Sequence, residues 1–242
     1  MSLSFRSDAY INGQWRGGAK RFQVFNPATQ AVIAEVPDLG AGETEEAIAA
    51  AHAAFPKWAA KPAKERAQIM RAWFDLMMAD IDRLGRLISL EGGKPIAEAR
   101  GEAAYGASFM EWFGEEAKRA YGRVIPTTTS TRRYVTLKQP IGVCAAVTPW
   151  NFPMAMITRK AAPAIAAGCT IVLKPPHQTP LTALVLAELA EKAGVPAGVF
   201  NVVTTHEHTE AVGKVFCESP LVRKFSFTGS TGVGKKLGAM CV

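Results

Sequence analysis

The chain has 242 residues, 48% of them hydrophobic, with 28 basic and 21 acidic side chains, enough to bury a sizeable core in one large domain or two small ones. Its formal charge of +7 is scattered, the densest groups being the pairs Arg132-Arg133 and Lys235-Lys236, which argues against a nucleic-acid groove and leaves room for attraction of an anionic ligand. Four cysteines (Cys144, Cys169, Cys217 and Cys241) show no zinc spacing, no run approaches a membrane span, and Arg6 and Asp8 interrupt the N-terminus before any apolar signal, so a soluble cytoplasmic protein with no metal is expected.

Ala9–Ile11 and Phe22–Phe25 read as short strands flanking an Asn12-Gly13 turn and a Gly17-Gly18 pair, an early hairpin-like element. Helices follow. Ala47, Ile48, Ala51, Ala54, Phe55 and Trp58 recur at helical spacing, with Pro56 marking a kink or an end. Pro62 suits the first turn of a second helix carrying Ile69, Met70, Trp73, Phe74 and Met77 on one face. A third, through Ile81, Leu84 and Ile88, ends at Gly92-Gly93, and Pro95 opens a fourth whose Tyr105, Phe109, Trp112 and Phe113 are taken as core.

From Arg132 the period becomes two, giving one extended, half-exposed strand. Four apolar strands come next, Ile141–Val147, Thr170–Leu173, Val199–Val203 and Lys224–Phe227. Helices at Met156–Ala167, Thr182–Ala193 and Glu210–Glu218 separate them. This alternation predicts a parallel sheet covered on both faces. Cys144 and Cys169 fall in or beside these strands and read as small buried hydrophobes.

Ligands of an open parallel sheet bind beyond the carboxyl ends of its strands, and four motifs fall there. Thr148-Pro149-Trp150-Asn151-Phe152-Pro153 holds an amide between two prolines, a stiff turn able to donate to a developing oxyanion or simply to cap itself. Lys174, opening Lys174-Pro175-Pro176-His177, suits ribose hydroxyls or a 2′-phosphate, or is a solvated lysine. The loop with Thr204, Thr205 and His206 is the third; His206-Glu207-His208 is too short to chelate from one helix face. Finally Phe227-Thr228-Gly229-Ser230-Thr231-Gly232-Val233-Gly234 is not a G-x-G-x-x-G; it serves as a phosphate-binding turn or as an ordinary N-cap.

Together these motifs resemble the aldehyde dehydrogenase superfamily, most of all its succinate-semialdehyde dehydrogenases. The likeness runs from about Ala9 to the last residue and is dense in Glu111-Trp112-Phe113, Lys138-Gln139-Pro140-Ile141-Gly142-Val143, Thr148 to Lys160, and Leu221-Val222-Arg223-Lys224 to Ser230-Thr231. It implies NAD(P)-dependent oxidation of a small aldehyde to its carboxylate by a cysteine nucleophile and a glutamate base. It further implies an α/β, Rossmann-like doubly wound sheet with a helix-rich N-terminal region (1–122), an oligomerisation hairpin (123–140) and an incomplete dinucleotide-binding part (141–242), in a parent enzyme that assembles as a homo-oligomer without nucleic acid or membrane.

By that resemblance Asn151 supplies the side-chain half of the oxyanion hole. Thr148, Pro149, Trp150, Lys174, His177, Gly229, Ser230 and Gly234 match coenzyme-contacting positions, and Arg159 matches a holder of the substrate's far carboxylate. His177 stands where NAD-preferring members often carry a glutamate; with Lys174 nearby this favours NADP, NAD remaining open. The family's Glu-Leu-Gly-Gly base and Gly-Gln-x-Cys nucleophile motifs do not occur in these 242 residues. The expectation is an N-terminal half, inactive by itself; the alternative is a non-enzymatic dinucleotide-binding or assembly module.

Overall fold

A six-stranded sheet organises residues 3–241, the part of the chain that the computed structural model describes. Four parallel strands form most of it: β7 (Val143–Val147), β8 (Thr170–Lys174), β9 (Phe200–Val202) and β10 (Val222–Phe227). A hairpin, β1 (Ala9–Ile11) and β2 (Gln14–Arg16), adds antiparallel to β9, giving the order β10-β7-β8-β9-β1-β2. Asn12 and Gly13 turn that hairpin with φ of 53° and 74°, the positive values a two-residue primed turn requires. The expected partner of β1 is thereby corrected. Phe22 to Phe25 belong to β3 (Arg21–Phe25), which pairs with β4 (Val32–Pro37) in a separate ribbon.

Side chains of the parallel strands alternate between two cores. Cys144, Ala146, Ile171 and Leu173 face one, packed under α5 (Ala155–Ala166) and α6 (Leu181–Lys192). Val143, Ala145 and Val172 face the other, under α1 (Ala41–Ala60) and α7 (Thr209–Glu218). Continuous apolar strands demand this double cover, and the sheet is doubly wound as the sequence predicts. Cys144 and Cys169 are both buried, and the neighbouring Cys169 together with burial pushes the Cys144 thiol up.

In α1 the helix runs through Pro56 to Ala60 rather than ending there. His52, whose carbonyl that proline leaves without a donor, is exposed, while buried Trp58 anchors the last turn by donating its indole N–H to Ile165 O at 3.1 Å. The two helices α2 (Ala63–Ala79) and α3 (Ile81–Gly92) follow, α3 ending at Gly93 with φ 71°. Next comes α4 (Ile96–Ala117), whose aromatic stripe is core only in part: Phe109 and Phe113 pack half-buried against the core, but Trp112 is 65% and Tyr105 44% exposed. The buried face is Ala99, Glu102, Ala103, Gly106, Ala107, Met110, Gly114 and Ala117. Small residues win there because α4 is wedged between α2, α3 and α5; a Cβ on Gly106 would lie 2.7 Å from Met154 Cγ. Beyond it, β5 (Arg123–Ile125) and β6 (Tyr134–Thr136) pair into an exposed ribbon, where the sequence shows only its second strand.

Neither α5 nor α6 has a side-chain cap of its own, although the leading N–H groups of a helix need acceptors. Both receive a buried carboxylate from the helical layer. Glu102 Oε1 accepts from Met154 N at 3.0 Å and Ala155 N at 3.4 Å. Glu91 accepts from Leu181 N at 2.8 Å, from Thr182 N at 2.9 Å and from the Thr182 hydroxyl. Negative charge at a helix N-terminus is favoured by the peptide dipoles, but burial still raises the Glu91 pKa to about 7. Replacing Glu91 by Ala strips three donors of their acceptor and should lower the unfolding free energy by about 2–3 kcal/mol. Glu91→Gln, which keeps one acceptor oxygen, should lose less, as read by urea denaturation.

Candidate functional site

From β7 the chain steps to β8 and β9, then returns to place β10 on the opposite side of β7. Where strand order reverses, the helices on either side diverge and leave a crevice at the strands' carboxyl ends. A cleft of about 470 Å³ opens there. Thr148, Pro149, Trp150 and Asn151 line it from the end of β7, Lys174 from the end of β8, and Gly229 and Ser230 from the end of β10. These three strand-end motifs, far apart in sequence, thus share one wall.

Each part of the lining has a local cause. Thr148 N–H donates to Lys174 O at 3.4 Å and Thr228 N–H to Val147 O at 3.1 Å, so the strand ladder holds the loops in register. Ser230 caps α8 (Thr231–Met240), its Oγ accepting from Val233 N at 3.4 Å, and the N-terminus of α8 borders the cleft. Gly229 leaves bare backbone here because a Cβ would meet the Phe227 ring at 2.5 Å. The turn is thus an N-cap that borders the cleft.

Two groups in the lining lack partners. The Thr148 hydroxyl is buried and unpaired, a condition that normally calls for a ligand or water. Lys174 is only 5% exposed rather than solvated, and no carboxylate pairs with it among the described residues. Burial lowers its pKa to about 8, leaving a mostly protonated, uncompensated cation at neutral pH. A buried hydroxyl, an unpaired ammonium and a helix N-terminus in one cleft fit a polar, anionic ligand such as a dinucleotide. Asn151 lies on the rim, its side chain exposed, with its backbone carbonyl accepting from Lys94 Nζ at 3.0 Å.

Three sequence-assigned positions lie outside this lining. Gly234 sits one turn into α8 against the Phe227 ring, which its missing side chain accommodates. His177 stacks on His206 with ring centres 4.3 Å apart. Burial, then the neighbouring His206 and Lys174, lowers the His177 pKa to about 4. Arg159, on α5, donates to the Tyr105 hydroxyl and lies 5.3 Å from the Phe109 ring centre. It borders a different groove of about 430 Å³ together with Lys160 and Lys224.

Thr204 and Thr205 are committed to structure, donating to Pro37 O and Asp38. Asp38 also gathers the His206 and Glu207 N–H groups and, with Glu207 and His208, makes a cluster whose oxygen and nitrogen atoms lie within 4.8 Å. Sequence reading missed Glu91, Lys94 and Glu102. The available signal was Glu102, a charge set in the small-residue stripe of α4.

The family model for the aldehyde dehydrogenase family matches residues 15–241. The chain belongs to the aldehyde dehydrogenase family. Its sequence is 58% identical over 239 residues to the NADP(+) succinate-semialdehyde dehydrogenase of Escherichia coli and 57% identical over 239 residues to the glutarate-semialdehyde dehydrogenase of Pseudomonas aeruginosa. Both matches cover 98% of this chain and 49% of the relative. The crystal structure of an E. coli NADP-dependent enzyme superposes with a TM-score of 0.96 at 58% identity, over 98% of this chain and 49% of that one. The chain thus spans about half the length of the curated relatives it matches.

Two outcomes test the geometry of this aldehyde dehydrogenase segment. Thr148→Val removes a buried, unpaired hydroxyl at nearly constant volume and should raise the stability of the ligand-free protein by about 1 kcal/mol. His177 has a folded pKa of about 4 against 6.5 unfolded, so the unfolded state binds more protons between those values and stability falls as pH drops from 6.5 to 4. Urea midpoints of His177→Gln should decline less than wild type across that window.

Proposed function

We propose that this chain is the coenzyme-binding half of an NADP-dependent aldehyde dehydrogenase acting on an aldehyde with a distal carboxylate, succinic semialdehyde foremost. The observation that carries the reading is the switch-point cleft, where the unpaired Thr148 hydroxyl and the uncompensated Lys174 ammonium stand beside the N-terminus of α8. When bound, the nicotinamide coenzyme supplies the hydride acceptor. Within the chain, the bare backbone at Gly229 and the leading N–H groups of α8 hold pyrophosphate oxygens. Lys174 takes the ribose hydroxyls or the 2′-phosphate; NAD is the weaker coenzyme because it lacks that phosphate. Asn151 donates its amide N–H to the aldehyde oxygen as negative charge grows there. Two further features support the substrate class. Arg159 presents a rigid donor fork on α5, and the relatives compared above are named for aldehydes bearing a second carboxylate.

Because the 242 residues hold neither Glu-Leu-Gly-Gly nor Gly-Gln-x-Cys, the nucleophile and the base come from outside them. The exposed β5–β6 ribbon, with Val124 75% and Leu137 77% exposed in and beside it, supports contact between copies in the assembled enzyme, which we place in the cytoplasm.

Calorimetry with NADP+ and NAD+, paired with an assay for succinic semialdehyde oxidation, tests the reading. NADP+ should bind more tightly than NAD+, without turnover. The preference should shrink as pH rises through about 8, where Lys174 loses its charge, and Lys174→Met should flatten that dependence. Absence of binding by either coenzyme, or turnover at ordinary enzymatic rates, overturns it.

A further inference from the structure

Lys94 and Glu102 form an ion pair whose side chains are only 16% and 1% exposed. A buried pair of this kind is weak support for stability, since apolar residues of the same volume commonly do as well. Its contacts are more informative than its charge. Glu102 stands in the small-residue face of α4 and accepts from Met154 N and Ala155 N as well as from Lys94. Lys94 lies in the short connection between Gly93, fixed at φ 71°, and Pro95, so its backbone has little freedom. Its ammonium donates to Glu102 and to Asn151 O, and sits 3.8 Å from the centre of the Phe152 ring. One ion pair therefore grips the turn at Asn151, Phe152, Met154 and Ala155.

We propose that the Lys94–Glu102 pair is the positioning device of the Asn151 turn, fixing the peptide from which the rim amide projects. The inference rests on the functional reading above for its consequence in catalysis, but not for its geometry. Holding the Asn151 carbonyl at one end and the first N–H groups of α5 at the other leaves the Asn151 side chain only its own two torsions. A donor so fixed needs no reorganisation when charge develops on a bound oxygen. The adjoining residues Pro149 and Trp150 line the cleft, so the same grip sets that wall. Lys94 and Glu102 touch neither coenzyme nor substrate in this reading; they act through Asn151.

The test uses the 242-residue chain with Lys94→Met, Lys94→Arg, Glu102→Gln and the Lys94→Met/Glu102→Gln double variant. Hydrogen exchange is read at the amides of residues 150–155 other than Pro153, which has none, with β8 as internal reference, and NADP+ affinity is read by calorimetry. Lys94→Met should speed exchange in 150–155 by about tenfold while leaving β8 unchanged, and should weaken NADP+ by several-fold. Lys94→Arg, which keeps the charge and donors, should restore both. Glu102→Gln, which retains an acceptor for the first turn of α5, should loosen the same amides, and the double variant should be no worse than the sum of the singles.

Unchanged exchange at 150–155 in Lys94→Met, or equal loosening of β8, overturns the proposal, as does failure of Lys94→Arg to restore protection. Wild-type protein that binds no NADP+ would sink the functional reading alone, because the exchange measurements still decide whether the pair holds the turn.

Discussion

Buried carboxylates at the starts of α5 and α6 are the constraint on which the cleft depends. Each of these helices begins just after a parallel strand ends, so whatever fixes its first turn also fixes the loop between strand and helix. The β7 loop carries Asn151 and the β8 loop follows Lys174. Glu102 and Glu91 reach those first turns from α4 and from the end of α3. The helical layer therefore does more than cover the sheet. It supplies the acceptors that the two loops cannot provide, since neither helix has a capping side chain of its own.

The polar groups of the cleft show the opposite arrangement. Glu91 and Glu102 are surrounded by donors, whereas Thr148 Oγ1 has none and Lys174 has no counter-ion among the described residues. Buried polar groups are ordinarily satisfied within a fold, so leaving two unsatisfied along one wall concentrates unfulfilled hydrogen bonding where the strand order reverses. Backbone at Gly229 and the start of α8 add donors to the same lining. These are the groups on which the proposed coenzyme site rests.

Much of the parallel sheet was legible in the sequence. Apolar runs such as Val143–Val147 and Thr170–Lys174 are buried on both faces, so they carry no alternation to confuse with a surface strand, and glycines and prolines punctuate the helices between them. Short elements were not. β2, β4 and β5 are three to six residues long, exposed or only partly buried at most positions, and owe their pairing to partners the local pattern does not name. On α4 hydrophobicity misled: close helix contact selects small residues such as Gly106 over bulky ones, and that preference is set by neighbours, not by the helix itself.

The cleft was legible where residues act at strand ends, because topology brings such ends together. His177 lies over His206 and α5 turns Arg159 toward Tyr105, so neither lines that cleft. Glu91 and Glu102 escaped notice because their partners lie far away along the chain.

That distance has a consequence for how the protein comes into being. Glu102 precedes its partner Met154 by 52 residues, and Glu91 precedes Leu181 by 90. Synthesis runs from the N-terminus, so a ribosome releases both acids before the helices they serve. Both acids have therefore been synthesised before α5 and α6, so each helix has its acceptor available when its first turn forms.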